Sequence, residues 1–227
     1  MVYGIIFPLI TEVRFMQAAD NRQRIYSAAS ALFYEKGYNN TTVSEIIEMS
    51  KTNKGSFYHH FEDKLHLAYN IYSSMVSGIE TAIKGLFPEL DDFGRLFLQE
   101  CIFWRVFFTQ AQIRHFASEV CEVSYTGTKM EFLNAILDHA PENMDSRGLI
   151  MISGIEYALK SRLVSYVGRF AVRLREEEFV RFYLGVWLGT YGIQSETIQS
   201  CIDDAYKSMS ELTISSNGFD ITVSKTA

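Results

Sequence analysis

Apolar residues recur at helical spacing along almost the whole chain. Ile25, Ala28, Ala29, Leu32 and Phe33 fall at i, i+3, i+4, i+7 and i+8, a continuous stripe that predicts a first helix over about 21–36. Asp20 or Asn21 is placed to cap its start, and Gly37 to take the left-handed conformation that ends it. Thr42-Val43-Ser44-Glu45 has the spacing of a capping box, in which hydroxyl and carboxylate satisfy each other's orphan amides; it opens a short helix to about Met49. The polar break Ser50-Lys51-Thr52 precedes a second short helix over about 54–60, with Asn53 as its N-cap. Asp63 caps a long helix over about 64–85, whose stripe runs through Leu65, Ala68, Tyr69, Tyr72, Val76, Ile79 and Ile83. Beyond Pro88, helices are predicted over about 93–112, 113–122, 126–139, 146–172, 176–191 and 196–212, with a break at Pro141 and 143–145. The last fifteen or so residues are polar with β-branched members and are expected to fray. No stretch alternates convincingly enough for a sheet. The predicted fold is all-α.

Two short helices joined by a tight turn, braced by an amphipathic helix before them, describe a helix-turn-helix unit. Three segments carry its detail: Ala29-x-x-Leu32-Phe33-x-x-x-Gly37-Tyr38, Thr41-Thr42-Val43-x-x-Ile46, and Lys54-Gly55-Ser56-Phe57-Tyr58-His59-His60-Phe61-x-x-Lys64. In this order, residues 22–68 resemble the N-terminal DNA-binding domain of the TetR family of transcriptional regulators. The likeness covers about 47 of 227 residues, and the remainder is similar to the family only in length and helical character. At Ser50-Lys51-Thr52 the family usually has a small residue, glycine and a β-branched apolar residue. Lys51, at the glycine position, must adopt a less comfortable turn backbone or shift the turn.

Phosphate contacts need hydroxyls, cations and helix N-termini, and this segment supplies all three. The resemblance implies that Ser44, Lys54, Gly55, Ser56 and His59 reach base edges, while Thr42, Tyr58, His60 and Lys64 contact phosphate. Phe57 and Phe61, four apart, read as core. Adjacent histidines diverge by about 100° on a helix, so His59 and His60 are poorly placed to share a metal ion.

Helix 93–112 is apolar on more than one face, as a helix buried all round or bordering a cavity must be. By resemblance the second domain holds an apolar or aromatic effector, with Phe97, Trp104, Phe107, Phe108, Phe116 and Tyr125 as candidate lining residues or, equally, ordinary aromatic core. Helix 176–191 contains Gly185-Val-Trp-Leu-Gly189, and close approach of another helix compensates for glycines at that spacing. In similar proteins the last two long helices of each subunit form the dimer interface, which makes Tyr183, Gly185, Trp187 and Gly189 candidate interface residues here. The resulting partition is an N-terminal extension (1–19), a helix-turn-helix domain (20–68), a larger helical effector-binding and dimerisation domain (69–213) and a tail (214–227).

Composition narrows the picture. A net charge of −6 argues against indiscriminate nucleic-acid binding. Over 20–68, however, Arg22, Arg24, Lys36, Lys51, Lys54 and Lys64 balance Asp20, Glu35, Glu45, Glu48, Glu62 and Asp63, and 51–60 holds no acid. Aromatic residues make up 14% of the chain, more than a helical core usually needs, which favours a pocket. The longest uncharged apolar candidate runs only from Phe182 to Ser195, too short to span a bilayer. Val2–Ile10 lacks the basic flank of a secretory signal. Cys101, Cys121 and Cys201 have no C-x-x-C spacing, so free thiols in a cytoplasmic protein are expected. Residues 1–15 show no clear helical or strand period, whereas the chain from Met16 reads as a typical protein start, and translation is expected to begin there. No cofactor, metal or catalytic group is expected. The reading is a dimeric, ligand-responsive regulator of a near-palindromic operator in double-stranded DNA, acting as a repressor. A constitutive DNA-binding protein without effector, and an all-α enzyme with an incidental helix-turn-helix unit, are the alternatives.

Overall fold

A computed structural model of the chain describes residues 3–123, 130–140, 155, 158–168 and 174–226. The helices described are α1 (Tyr3–Lys36), α2 (Val43–Ser50), α3 (Lys54–His60), α4 (Lys64–Leu86), α5 (Asp92–Thr109), α6 (Ala111–Val123), α7 (Met130–Asp138), α8 (residues 158–168), α9 (Glu176–Gly189) and α10 (Ser195–Met209). They are followed by strands β1 (Leu212–Asn217) and β2 (Asp220–Lys225). The chain divides into two compact units, Met1–Ile71 and Tyr72–Ala227, with the division inside α4. Among the described residues, no helix is long and apolar enough to cross a membrane.

In the first unit the predicted stripe of α1 is the core. Ile25, Ala28, Ala29 and Phe33 are buried, and so are Ile46 of α2, Phe57 of α3, Phe61, and Leu67 and Ala68 of α4. Gly37 ends α1 at φ 86°, its N–H donating to the Phe33 carbonyl at 3.0 Å. The start of α1 corrects the sequence reading, because the helix reaches back to Tyr3 through the segment that shows no period. The sequence of 3–15 carries no apolar stripe of helical period. Extending a helix that is already nucleated needs none.

In the second unit α5 is buried along most of its length, from Phe93 to Phe107. Its end is set by Arg114, whose Nη1 donates to the carbonyls of Phe107 (3.2 Å) and Phe108 (3.0 Å), and the chain turns at Gln110. Trp104 lies at the centre of an aromatic cluster, with ring centroids 5.3 Å from Phe107, 4.6 Å from Phe179 and 5.2 Å from Tyr183. Gly168 of α8 is needed for close approach to α6, since a Cβ there would stand 2.4 Å from the Ser118 Cβ.

The tail does not fray. β1 and β2 form an antiparallel hairpin in register from Leu212↔Lys225 to Asn217↔Asp220. Gly218, at φ 63°, takes the first position of a two-residue turn. Phe219, the second, is buried against Phe116 with ring centroids 4.4 Å apart. Glycine at the first loop position, between alternating Leu212, Ile214 and Ile221, Val223, is the hairpin signal that the expectation of fraying overlooked.

Candidate nucleic-acid interface and aromatic core

Capping and packing fix α3. Asn53 Oδ1 accepts the Ser56 N–H at 2.8 Å, and the Phe61 N–H closes on the Phe57 carbonyl at 2.9 Å. The rings of Phe57 and Phe61, 6.0 Å apart, anchor the inner face as predicted. The outer face is left to solvent: Lys54, Gly55, Tyr58 and His59 are exposed, while Ser56 and His60 are half-buried. Lys54 Nζ lies 6.0 Å over the Tyr58 ring. A Cβ on Gly55 would stand 3.3 Å from Asn53 Oδ1 and crowd the cap.

Helix α2 starts with the predicted capping box. The Glu45 N–H donates to Thr42 Oγ1 at 3.3 Å, and the Thr42 N–H donates to Glu45 Oε2 at 2.8 Å. Lys36 pairs with the same carboxylate; this bond, foremost, and those of Thr42 hold the Glu45 carboxyl down to about 2. Thr42 and Ser44 are exposed at this end.

The turn between the two short helices resolves the departure at Lys51. Its backbone is left-handed, φ 52° and ψ 40°, a conformation costing a non-glycine residue about 1–2 kcal/mol. Its N–H donates to Glu48 O at 3.1 Å, and its carbonyl accepts from Arg24 Nη2 at 2.8 Å. The turn keeps its form, and a cation replaces the bare glycine on its surface.

Lys64 requires a correction. It is half-buried, and its Nζ donates to the carbonyls of Tyr38 and Thr41, both at 2.8 Å, beneath the Tyr38 ring at 4.1 Å. Its ammonium ties α4 to the loop before α2, so it positions the unit and does not reach for phosphate. His60 titrates below the ordinary histidine range, first because of burial and then because of His59 and Arg22. Arg22, its guanidinium 5.5 Å over the Phe61 ring, and Arg24 were not singled out from the sequence, where nothing in their spacing marks them. Among the described residues, no cluster of three or more His, Cys, Asp or Glu is placed to hold a metal ion.

A family model for bacterial regulatory proteins of the tetR family matches residues 25–69, which span this whole arrangement. Residues 25–69 are thus similar to the DNA-binding domain shared by regulators of that family. It is 40% identical over 50 residues to the HTH-type transcriptional regulator QacR of Staphylococcus aureus, covering 22% of this chain and 27% of that protein. It is likewise 40% identical over 55 residues to the HTH-type transcriptional repressor BepR of Brucella suis, covering 24% and 26%. The matched stretch spans about a quarter of the length of these curated relatives. Beyond it the likeness is one of fold: the structure of RolR in complex with resorcinol superposes at TM-score 0.52 and 15% identity, covering 82% of this chain and 95% of RolR.

The residues expected to line a pocket are mostly deep in the core of the second unit. Phe97, Trp104, Phe107 and Phe116 are fully buried and Phe108 is half-buried, while Tyr125 lies outside the described residues. Phe116 is covered by Phe219 of the hairpin. Two open clefts of about 270 and 280 Å³ are lined by other residues, one between α5 and β1 and one between α5, His139 and α10.

Near Trp104 the core is polar. The Glu100 carboxylate and the Lys160 ammonium form an ion pair, both side chains nearly inaccessible. Glu100 Oε2, Trp104 Nε1 and Trp187 Nε1 are buried without a hydrogen-bond partner among the described residues, at a cost of about 1–3 kcal/mol each. The thiols are inert by contrast: burial pushes Cys121 up to about 11 and raises Cys101 further.

The interface prediction also needs correcting. Tyr183 and Trp187 are buried in the chain's own core, so they do not serve as anchors for a second subunit. The outward face of α9 carries Phe182, which is 61% exposed, and Val186, with Gly185 and Gly189 between and beside them.

Proposed function

We propose that this chain is a DNA-binding transcriptional repressor that works as a homodimer and is released from a near-palindromic operator by a small-molecule effector. The outward face of α3 carries the reading: its inner face and both ends are fully committed, yet Lys54, Gly55, Tyr58 and His59 stand exposed with no acid among them. Gly55 allows backbone and base edges to come close, Lys54 and Ser56 supply donors to bases, and Tyr58 with Thr42 supplies hydroxyls to phosphate. Arg24 and Lys51 add positive charge at the turn. That BepR is a repressor supports the same sign of action here.

A single recognition helix reads too little sequence, and a dimer places two of them one helical turn of DNA apart, about 34–36 Å. We assign the dimer contact to Phe182, Gly185, Val186 and Gly189 of α9. They share one face at i, i+3, i+4 and i+7, and the space over both glycines is open.

The test is fluorescence anisotropy with a duplex selected from random DNA by the purified protein. Binding whose logarithm falls linearly with the logarithm of salt, and which Lys54→Ala and Tyr58→Phe together weaken, supports the reading. Absence of salt-dependent binding to any selected duplex overturns it. Phe182→Glu should convert the dimer to monomer in sedimentation.

A further inference from the structure

The ion pair of Glu100 and Lys160 is enclosed by aromatic rings. Lys160 Nζ lies 5.3 Å from the Phe103 centroid, 6.0 Å from that of Tyr183 and 5.9 Å from that of Trp187. Glu100 and Trp104 are one turn apart on α5, and Tyr183 and Trp187 one turn apart on α9, so each pair shares a helix face. The Trp104 ring is 5.2 Å from Tyr183 and 5.3 Å from Phe103, two of the rings that face the ammonium, so both indoles border one aromatic cluster. Glu100 Oε2 asks for a donor, and the two indole N–H groups ask for acceptors.

Resting on the effector reading above, we infer that this polar knot is the recognition point for the effector, and that it selects a neutral, planar arene bearing a hydroxyl or a comparable donor–acceptor group. Three features set that class. The knot is built on an ion pair, and an ionic ligand entering it would carry the desolvation cost of a further charge into a dry core. The open valences are both donors and an acceptor; a hydroxyl oxygen accepts from an indole while its proton goes to Glu100. The walls are aromatic faces and edges, which suit a flat ring. Groups left unpaired in the closed core favour any state that a ligand completes, and a differential of this kind is what couples binding to a second conformation.

The chain has two tryptophans, both in the knot, so ¹⁵N-labelled protein has two indole Nε1–H resonances and each reports on this site. The full-length protein is titrated with 2-naphthol, 2-methylnaphthalene, 2-naphthoate and 2-naphthylmethylammonium. The expected result is saturable downfield movement of the indole signals with 2-naphthol, and weaker or no response to the other three. Trp187→Phe, which keeps a ring and removes the N–H, should weaken 2-naphthol about fivefold and leave 2-methylnaphthalene unchanged. Indoles that ignore all four probes, or that answer best to the hydrocarbon or to either ion, overturn the inference. Wild-type spectra decide this even if the variant fails to fold. Anisotropy with the selected operator separates the two readings: DNA bound while 2-naphthol leaves both indoles still defeats the ligand assignment alone, and DNA never bound defeats the regulator.

Discussion

The two units treat polar groups in opposite ways. Around α2 and α3 the helix starts are capped by side chains, Thr42 with Glu45 and Asn53 with Ser56, and Lys64 holds two loop carbonyls. In the second unit Asp91 caps α5 in the same way, but α9 and α10 begin without a side-chain cap, and the core encloses an ion pair, two indole N–H groups and a carboxylate oxygen that local bonds do not complete. The first arrangement defines one geometry through satisfied bonds, most of them between residues close in sequence, with Lys64 as the long-range tie. The second leaves valences open and depends on partners 60 residues or more apart, such as Lys160 for Glu100. The first arrangement suits the surface proposed to match DNA, and the second the core proposed to answer a ligand.

The contrast breaks most severely at Glu100. Glu100→Ala strands the Lys160 ammonium in the aromatic cluster and should cost about 3–5 kcal/mol in denaturant unfolding. Removing both charges, with Glu100→Gln and Lys160→Met, should recover most of that loss, because the desolvation cost offsets most of what the buried pair gains. Next comes Gly168→Ala, whose methyl meets Ser118; a loss of about 1–3 kcal/mol, seen as a lower midpoint, is expected. In the first unit Thr42→Ala should cost about 1 kcal/mol and increase hydrogen exchange at the Glu45 amide.

The smallest effects sharpen the comparison. Lys51→Gly relieves a left-handed lysine and should stabilise by at most about 1 kcal/mol while weakening operator binding, since it also removes a cation. Glu45 has its carboxyl lowered from 4.5 to about 2, so its folded form keeps the charge that the unfolded chain loses sooner. Its contribution is complete above the unfolded value and disappears as pH falls from 4.5 towards 2, which amide exchange of α2 followed over that range would register. Raising salt should shrink the same effect, because the pair with Lys36 is open to solvent.

Legibility in the sequence follows the same division. Thr42, Asn53, Asp63 and Gly37 act within four residues of their own position, so their roles are written in local spacing, and the structure has each at the helix end assigned to it. Phe57 and Phe61 declare themselves by an i, i+4 stripe. Lys64 misleads because its partners, Tyr38 and Thr41, are over 20 residues away and no spacing rule reaches them. Tyr183 and Trp187 mislead because an apolar residue on a helix states that it is buried, not whether its own chain or a second copy buries it. The hairpin is different: Gly218 between two alternating segments is a local signal, and serines and threonines around it lent the segment the composition of a loose end.

That hairpin has a mechanical consequence. It leaves the end of α10 with hardly any slack, and the Thr226 N–H returns to the Glu211 carbonyl at 2.7 Å to close its base. Its tip is fastened to α6 through Phe219 on Phe116, and Lys225 lies 5.3 Å over the Phe87 ring just beyond α4. Residues 212–226 therefore form a clasp that yokes α10 to α6. A chain cut after Glu211 would bare Phe116 and free two helices that are now obliged to shift together.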